Sequence, residues 1–366
     1  MSMEGFSAGQ ILHATAITLD DFIKGKLFQQ NIQEKPTLAI FEKKAKTFKG
    51  GKEVISEPVK MANGAGGTND GVKGFSHTDS VNFYNPAGGL RAEYTWREHH
   101  IGWTMSETQL KQQGILVGDE FEGKISKKSK RSLSVLADAL DENMADFAEQ
   151  YASTMNALIW GDGTSDTSAL AGLRSIILDI PTLGVVGGLS NVTYAPWRNR
   201  ARTAAFAADG SFDAAHGGGA VTSSPTNGGA LIQLLQKDFR QLRRYGARPN
   251  RWACGSDFLD ALETEIRANG NYSLNGFAGN HDISLGDLTA KDLGAYYDPT
   301  LDDLGRAKFC YIWDDGDICL RPLEGDWKRQ RDPARPYDKF VFHKSLLCTG
   351  QMTARRRNGS MVVEIN

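Results

Sequence analysis

Thirty consecutive residues, Arg131 to Trp160, contain neither proline nor glycine. They read RSLSVLADALDENMADFAEQYASTMNALIW, with apolar side chains at Leu133, Leu136, Leu140, Met144, Phe147, Tyr151, Met155 and Leu158. Steps of three and four residues put all of them on one stripe of an α-helix. The opposite face carries Asp138, Asp141, Glu142, Asp146 and Glu149. At 1.5 Å per residue such a helix would be roughly 45 Å long. Ser132 is placed to cap its start, and Gly161-Asp162-Gly163 to end it. A coiled coil needs more heptads with charged flanks than this seam supplies. The alternative is one long helix laid along the core of a large body.

The chain is long enough for such a body. At 366 residues it has room for two or three domains, and 40% hydrophobic with 23% charged residues is the balance of a soluble globular protein. A formal net charge of −2 is not that of a protein that grips nucleic acid by its phosphates. The N-terminus lacks the basic and apolar regions of a secretory signal. No run of 18 apolar residues exists to span a membrane. Cys254, Cys310, Cys319 and Cys348 show no metal-ligand spacing. Reading Lys308–Pro322 as a hairpin turning at Asp315-Gly316 leaves Cys310 only diagonal to Cys319, too far to bridge. Reduced thiols made in a cytoplasm follow.

Residues 49–112 differ in kind. GKEVISEPVKM is a strand-like run, NGAGGTNDGVKG holds five glycines in 12 residues, and RAEYTWREHHIGWTMSETQL returns. Tyr94 and Trp96 share one face, whereas Ile101, Trp103 and Met105 share the other. The parity change predicts a bulge near Glu98-His99-His100, or a strand passing from one environment to another. A two-stranded arm of this length has little core of its own and must lie on another surface. It is the main physical argument for a chain that assembles.

The remaining text alternates helix and strand signals. Thr37–Lys46 and Leu19–Gln30 predict short helices in an arm over 1–48. Lys124–Arg131, KISKKSKR, is a basic helix entry that calls for acidic neighbours. Ala204–Ala230 reads as an exposed Gly/Ala/Ser/Thr loop. Asn227–Tyr245 and Ser256–Ala268 predict amphipathic helices, and Trp252–Cys254, Leu293–Asp298 and Lys339–Cys348 predict strands, with a further piece near Ile283. Met352–Ile365 reads as a closing hairpin at Asn358-Gly359, its triple arginine Arg355–Arg357 a solvated or subunit-pairing edge. Trp197 after Pro196 looks like a buried anchor.

Catalytic signatures do not surface. There is no P-loop, GxSxG or HExxH, and the glycines of 64–71 do not open a helix. His99 and His100 on a strand point to opposite faces. Asp162–Asp166 lacks the twelfth-position glutamate of a calcium loop. No catalytic, cofactor-binding or metal residue is assigned, and no cofactor is called for.

Three groups of residues resemble the major capsid protein of tailed bacteriophages, an α+β protein of the Hong Kong 97-type fold. The Gly-tipped hairpin closing in AEYTWREHHIGWTMSE is similar to the extended E-loop. The helix at 131–160 running into IWGDGT is similar to the spine helix. AGLRSIILDIPTLGVVGGLSNVTYAPWRNR is similar to the stretch that follows the spine. The resemblance covers roughly residues 50–366. It implies an N-terminal arm (1–48), an E-loop hairpin (49–112) and a peripheral domain with the spine helix (113–170). An axial domain (171–330, with a glycine-rich insertion near 204–230) and closing strands of the peripheral domain (331–366) complete it.

It further implies hexamers and pentamers in an icosahedral head around double-stranded DNA, held without sequence-specific contacts. The implied partners are a scaffolding protein, a portal, and a maturation protease or cement protein. The place implied is the virion, assembled in the host cytoplasm. Residues taken as intersubunit contacts are Tyr94, Trp96, Arg97, Lys127, Lys128, Arg198, Arg355 and Arg356. Three other readings compete: an encapsulin-like shell of the same fold, a soluble α/β enzyme, and a tail-tube protein. The enzyme leaves the hairpin unexplained, and the tail tube conflicts with the long helix.

Overall fold

The computed structural model describes residues 33–61, 75–79, 89–106, 108, 147–164, 166, 168–224, 229–244, 246–268, 294–334 and 341–366. Residues 1–34 form one unit, of which only 33 and 34 are described, and Lys35–Asn366 form the other. In chain order the second unit holds α1 (Pro36–Lys43), β1 (Val54–Lys60), β2 (Gly89–Thr95), β3 (Arg97–Ser106) and α2 (147–159). Then come α3 (Leu173–Ile176), β4 (Val185–Val186), β5 (Leu189–Ser190), β6 (Arg200–Arg202), α4 (Ala204–Ala208) and β7 (Gly217–Gly218). They are followed by α5 (Ala230–Arg243), β8 (Arg251–Cys254), α6 (Ser256–Ala268), β9 (Gly294–Tyr297) and α7 (Pro299–Asp303). The last strands are β10 (Phe309–Trp313), β11 (Ile318–Pro322), β12 (Arg329–Ala334), β13 (Val341–Ala354) and β14 (Met361–Glu364).

Two sheets organise these elements. A six-stranded mixed sheet runs β7-β6-β14-β10-β8-β9. Its central strands are apolar on both faces. Trp252, Cys254, Cys310, Ile312 and Val363 join Leu231, Leu235, Phe239, Leu242, Phe258 and Leu262 of α5 and α6 in one core. Ala253, Tyr311, Trp313 and Val362, the alternate residues, join a second core with Trp160, Trp197 and Phe206. The N-terminus of α5 has no capping side chain of its own. Glu265 of α6 supplies one, accepting from Leu231 N and Ile232 N at 3.1 Å each. A buried carboxylate at a helix N-terminus meets both free N–H groups and the positive end of the dipole.

The second sheet is built on β13, fourteen residues long, which pairs with β11, β12 and β3. β1 and β2 form a separate antiparallel pair, Val54 opposite Thr95 through Lys60 opposite Gly89. The parity change read between Trp96 and Ile101 has its cause here. β2 stops at Thr95, and β3 starts at Arg97 in another sheet, opposite Gly350 of β13. The chain changes environment at Trp96, a little before the expected bend.

Residues 147–159 of the expected long helix are helical, and 131–146 lie outside the described residues. Tyr151 and Met155 are buried as the stripe predicts, and Ile159 and Trp160 extend it. Beyond the helix, Gly163 takes a φ of 75° and Asp162 Oδ1 accepts from Thr164 N at 3.0 Å, which turns the chain. The segments at 19–30, 124–131 and near 283 also lie outside the described residues.

Several expectations are corrected. Lys308–Pro322 is not a hairpin, because β10 lies in the six-stranded sheet between β14 and β8 whereas β11 pairs with β13. Met352–Ile365 is likewise a switch between sheets, β13 to β14, and not a hairpin. An Asp-Gly or Asn-Gly turn marks a reversal but cannot say which sheet the next strand enters. The cysteine opposite Cys310 is therefore Cys254, with Sγ atoms 3.2 Å apart and both thiols free. Residues 36–48 pack into the body. Phe41 stacks on Trp313 with ring centroids 5.7 Å apart, and Phe48 N donates to Pro322 O at 3.0 Å.

The 204–224 segment is also not a loose loop. Phe206 is buried, and β7 closes one edge of the sheet. Glycine is required there: at Gly217, with φ 136°, a Cβ would lie 1.6 Å from Ala201 O. Gly217→Ala is expected to detach β7 and cost about 2 kcal/mol. A thermal melt of that variant indistinguishable from wild type would contradict this.

Candidate functional site

The arm's root is bound to the body by charge. Glu57 sits on the inward face of β1, beside Ile55, and is 4% exposed. Its carboxylate accepts from Arg355 Nε at 2.9 Å and also pairs with Arg321. Tyr94 OH donates to Ala354 O at 3.2 Å, and Gln351 Nε2 donates to Thr95 O at 2.9 Å. Burial pushes the Tyr94 hydroxyl pKa up to about 12. Gly187 lies against Ala92 and Tyr94, its carbonyl accepting from Glu93 N at 2.9 Å. Glu57→Ala is expected to cost about 2 kcal/mol, less than a fully buried pair because Arg355 is half exposed. It should speed proteolysis within 50–95 before the rest of the chain. Unchanged cleavage kinetics would sink that assignment.

Beneath the root lies a cleft of about 830 Å³. One wall is Pro58–Met61, and the other is Ala195–Arg198, Arg200 and the end of α5. The turn Arg355–Asn358 forms the floor, and Asp317 is the one carboxylate in the lining. Positive charge exceeds negative all around it. Asp238, fully buried on α5, is shared by Arg200 and Arg202. Glu57 is shared by Arg321 and Arg355. Asp317 stands 3.7 Å from Arg356, and burial raises its carboxyl above the usual range.

Arg357 is fully buried without a carboxylate partner among the described residues. Its guanidinium donates to Ile176 O, Asn191 Oδ1, Trp197 O and Asn199 Oδ1 at 2.7–3.2 Å and lies over the Trp197 ring. Burial lowers its pKa to about 10, so it stays charged at neutral pH. The last residue of the triple arginine run, Arg357, is thus no solvated edge. A guanidinium is required there because only its planar fork reaches four acceptors on separate segments.

The residues taken from sequence as intersubunit contacts fall in three places. Tyr94 is buried within the chain. Trp96 is half-buried, its Nε1 donating to Lys52 O at 3.1 Å, and Arg97 is half-buried at the start of β3. Arg198, Arg355 and Arg356 line the cleft. Arg198 donates to Asn191 O at 2.7 Å and pairs with Asp213 at 3.2 Å. Lys127 and Lys128 lie outside the described residues.

Glu57 and Asp238 were missed, although each interrupts a run of inward apolar positions. Asp238 stands between Leu235 and Leu242 on the buried stripe of α5. A carboxylate there needs a partner, and that is the signal that could have found it. Among the described residues no group of three or more His, Cys, Asp or Glu side chains is placed to hold a metal ion. Nor is any helix long and apolar enough to cross a membrane.

No protein-family model matches the sequence, and comparison with curated proteins gives no match. Solved structures do match. A subunit of the cyanophage A-1(L) capsid superposes with a TM-score of 0.61 at 14% identity, over 93% of this chain and 94% of that one. The capsid protein of Myoviridae phage XM1 gives 0.51 at 13% identity over all of both chains. The capsid of the empty GTA particle gives 0.53 at 11% identity over 93% of each. The chain has the fold of these capsid subunits, the Hong Kong 97-type fold expected from the sequence.

Proposed function

We propose that this chain is a structural shell protein, the major capsid protein of a tailed phage. The single observation that carries the reading is the fold match, which spans nearly the whole of both chains. The hairpin supports it. Its root is tied to the body by Glu57 and Tyr94, which sets the direction in which residues beyond Lys60 leave. In this reading those residues are the E-loop that lies across a neighbour, and residues 131–160 are the spine helix.

Copies associate as hexamers and pentamers into an icosahedral head around double-stranded DNA. A scaffolding protein, a portal, and a maturation protease or cement protein act with them. Assembly takes place in the host cytoplasm and the product is the virion shell. The half-exposed Trp96 and Arg97, the cleft residues Arg198, Arg355 and Arg356, and Lys127 and Lys128 are proposed to face neighbouring subunits. The net charge of −2 suits a wall that does not clamp its contents.

The test is negative-stain microscopy of the purified chain with light scattering over a range of concentrations. Closed shells, or rings of five or six, are expected. A 40.0 kDa monomer at every concentration would overturn the reading. Shells filled with a cargo protein in place of DNA would move it to the encapsulin-like alternative.

A further inference from the structure

We propose that the basic cleft receives the acidic end of the six-stranded sheet from a second copy of this chain, so that copies associate head to tail. The inference rests on the shell-subunit reading above.

The cleft lies where β6 and β14 begin, since Arg200 opens β6 and Arg356–Asn358 lead into β14. Its cations are matched only in part from within: Arg198 has Asp213, and Arg356 stands 3.7 Å from Asp317, but the remaining carboxylates are shared. Two arginines share Asp238, two share Glu57, Arg357 has no carboxylate, and exposed Lys60 has no ion pair among the described residues. Asn358 Oδ1, in the same lining, is buried without a hydrogen-bond partner. A charged, roomy cleft with unmatched polar atoms is built to be filled by groups of opposite sign.

The complementary charge stands at the other end of the same sheet. β8 and β9 run parallel and end there, where α6 and α7 begin. Ser256 N donates to Asp302 at 3.1 Å and Tyr297 OH donates to it at 2.7 Å, which brings the two helix starts together. Asp257, Asp260 and Asp303 are exposed on these helices, with no ion pair among the described residues. Of the nearby cations among the described residues, Arg306 is taken by Asp179 and Lys308 is exposed. Tyr297, 43% exposed, adds an apolar ring to this surface.

A basic cleft at one end and a free acidic surface at the other is a heterologous pair. Such a pair cannot be satisfied by a two-fold contact of like with like. Repeated by rotation it closes into a ring, which is what a capsomer requires. Nucleic acid is the competing occupant of a basic cleft. It is disfavoured because several of these cations are recessed against carboxylates, whereas phosphate contacts call for an open basic face.

The experiment is charge exchange. Lys60→Glu with Arg356→Glu reverses the cleft, and Asp260→Lys with Asp303→Lys reverses the acidic end. Lys60, Asp260 and Asp303 are exposed and the Arg356 side chain is 38% exposed, and circular-dichroism melts check that each variant folds. Light scattering and microscopy then read the concentration needed for half-maximal assembly. Each two-residue variant is expected to raise it about tenfold or more, and the chain with all four changes to return it near wild type. Wild-type shells together with unimpaired two-residue variants would overturn the inference and leave the capsid reading standing. Failure of the four-residue chain to recover, with less DNA retained by the K60E/R356E particles, would overturn it in favour of nucleic acid. Wild-type chain that never assembles would overturn both.

Discussion

Replacing Asp298 with alanine is expected to lower the unfolding free energy by about 3–5 kcal/mol. Asp298 is fully buried between β9 and α7, and among the described residues it has no ion pair. Its carboxylate instead gathers neutral donors. Trp160 Nε1 donates at 2.8 Å, Thr300 N at 3.0 Å and Asn156 Nδ2 at 3.4 Å, and the Thr37 hydroxyl donates as well. Asn156 completes the junction by donating to Thr300 Oγ1 at 2.7 Å and accepting from Leu38 N at 3.0 Å. Three segments distant in sequence, α1, the end of α2 and the β9–α7 corner, thus meet on one side chain.

Alanine leaves those donors buried without an acceptor and removes the cap of α7. Asp298→Asn keeps one acceptor oxygen but sets an amide N–H₂ against the remaining donors, so it should recover only part of the loss. Urea unfolding followed by tryptophan fluorescence reads this directly, because Trp160 reports on the junction. A loss below about 1 kcal/mol for the alanine variant would refute the hub.

How much of this was legible in the sequence depends on whether the information was local. The 3.6-residue period placed α5, and a serine followed by a periodic run placed α6, within a few residues of their observed bounds. The parity change after Trp96 allowed a bulge or a change of environment, and the second is what the strand pairings show, because side-chain alternation is a property of the strand itself and only pairing decides between the two. Sheet membership is a long-range property. Asp315-Gly316 and Asn358-Gly359 turn the chain as their residue types predict, yet each delivers the next strand to a different sheet. The Gly217 segment misled for a related reason. Glycine-rich text signals flexibility when exposed, but here the missing Cβ lets β7 lie against Ala201.

The cleft was partly legible. Arg198, Arg355 and Arg356 were picked for their charge and lie together in it, whereas Arg357 was grouped with its exposed neighbours although it is buried. Three successive arginines cannot all face one way along an extended chain, and the sequence does not say which one turns inward.

Arg357 sets the second large effect. Arg357→Met nearly preserves side-chain volume and removes an unpaired buried charge, a change that stabilises some proteins. Here the opposite is expected, a loss of about 3 kcal/mol or more. The reason lies in the acceptors. Ile176 O, Trp197 O, Asn191 Oδ1 and Asn199 Oδ1 converge on the guanidinium and come from the segments that α3, the β4–β5 ribbon and the approach to β6 leave behind. Asn199 Oδ1 keeps Leu178 N as a donor at 3.1 Å, but each of the other three left unmatched costs about 1–3 kcal/mol, and together they outweigh the desolvation relieved.

Lysine should rescue little, because a single ammonium has three donors and no planar fork. Both variants should also loosen the turn Arg355–Asn358 and the cleft above it, so a chain that still folds should need a higher concentration to assemble. Hydrogen exchange at Asn191–Arg200 separates this account from a general loss of stability. Exchange should rise there first in the methionine variant, and a uniform rise across both sheets would show that Arg357 has no special hold on this corner.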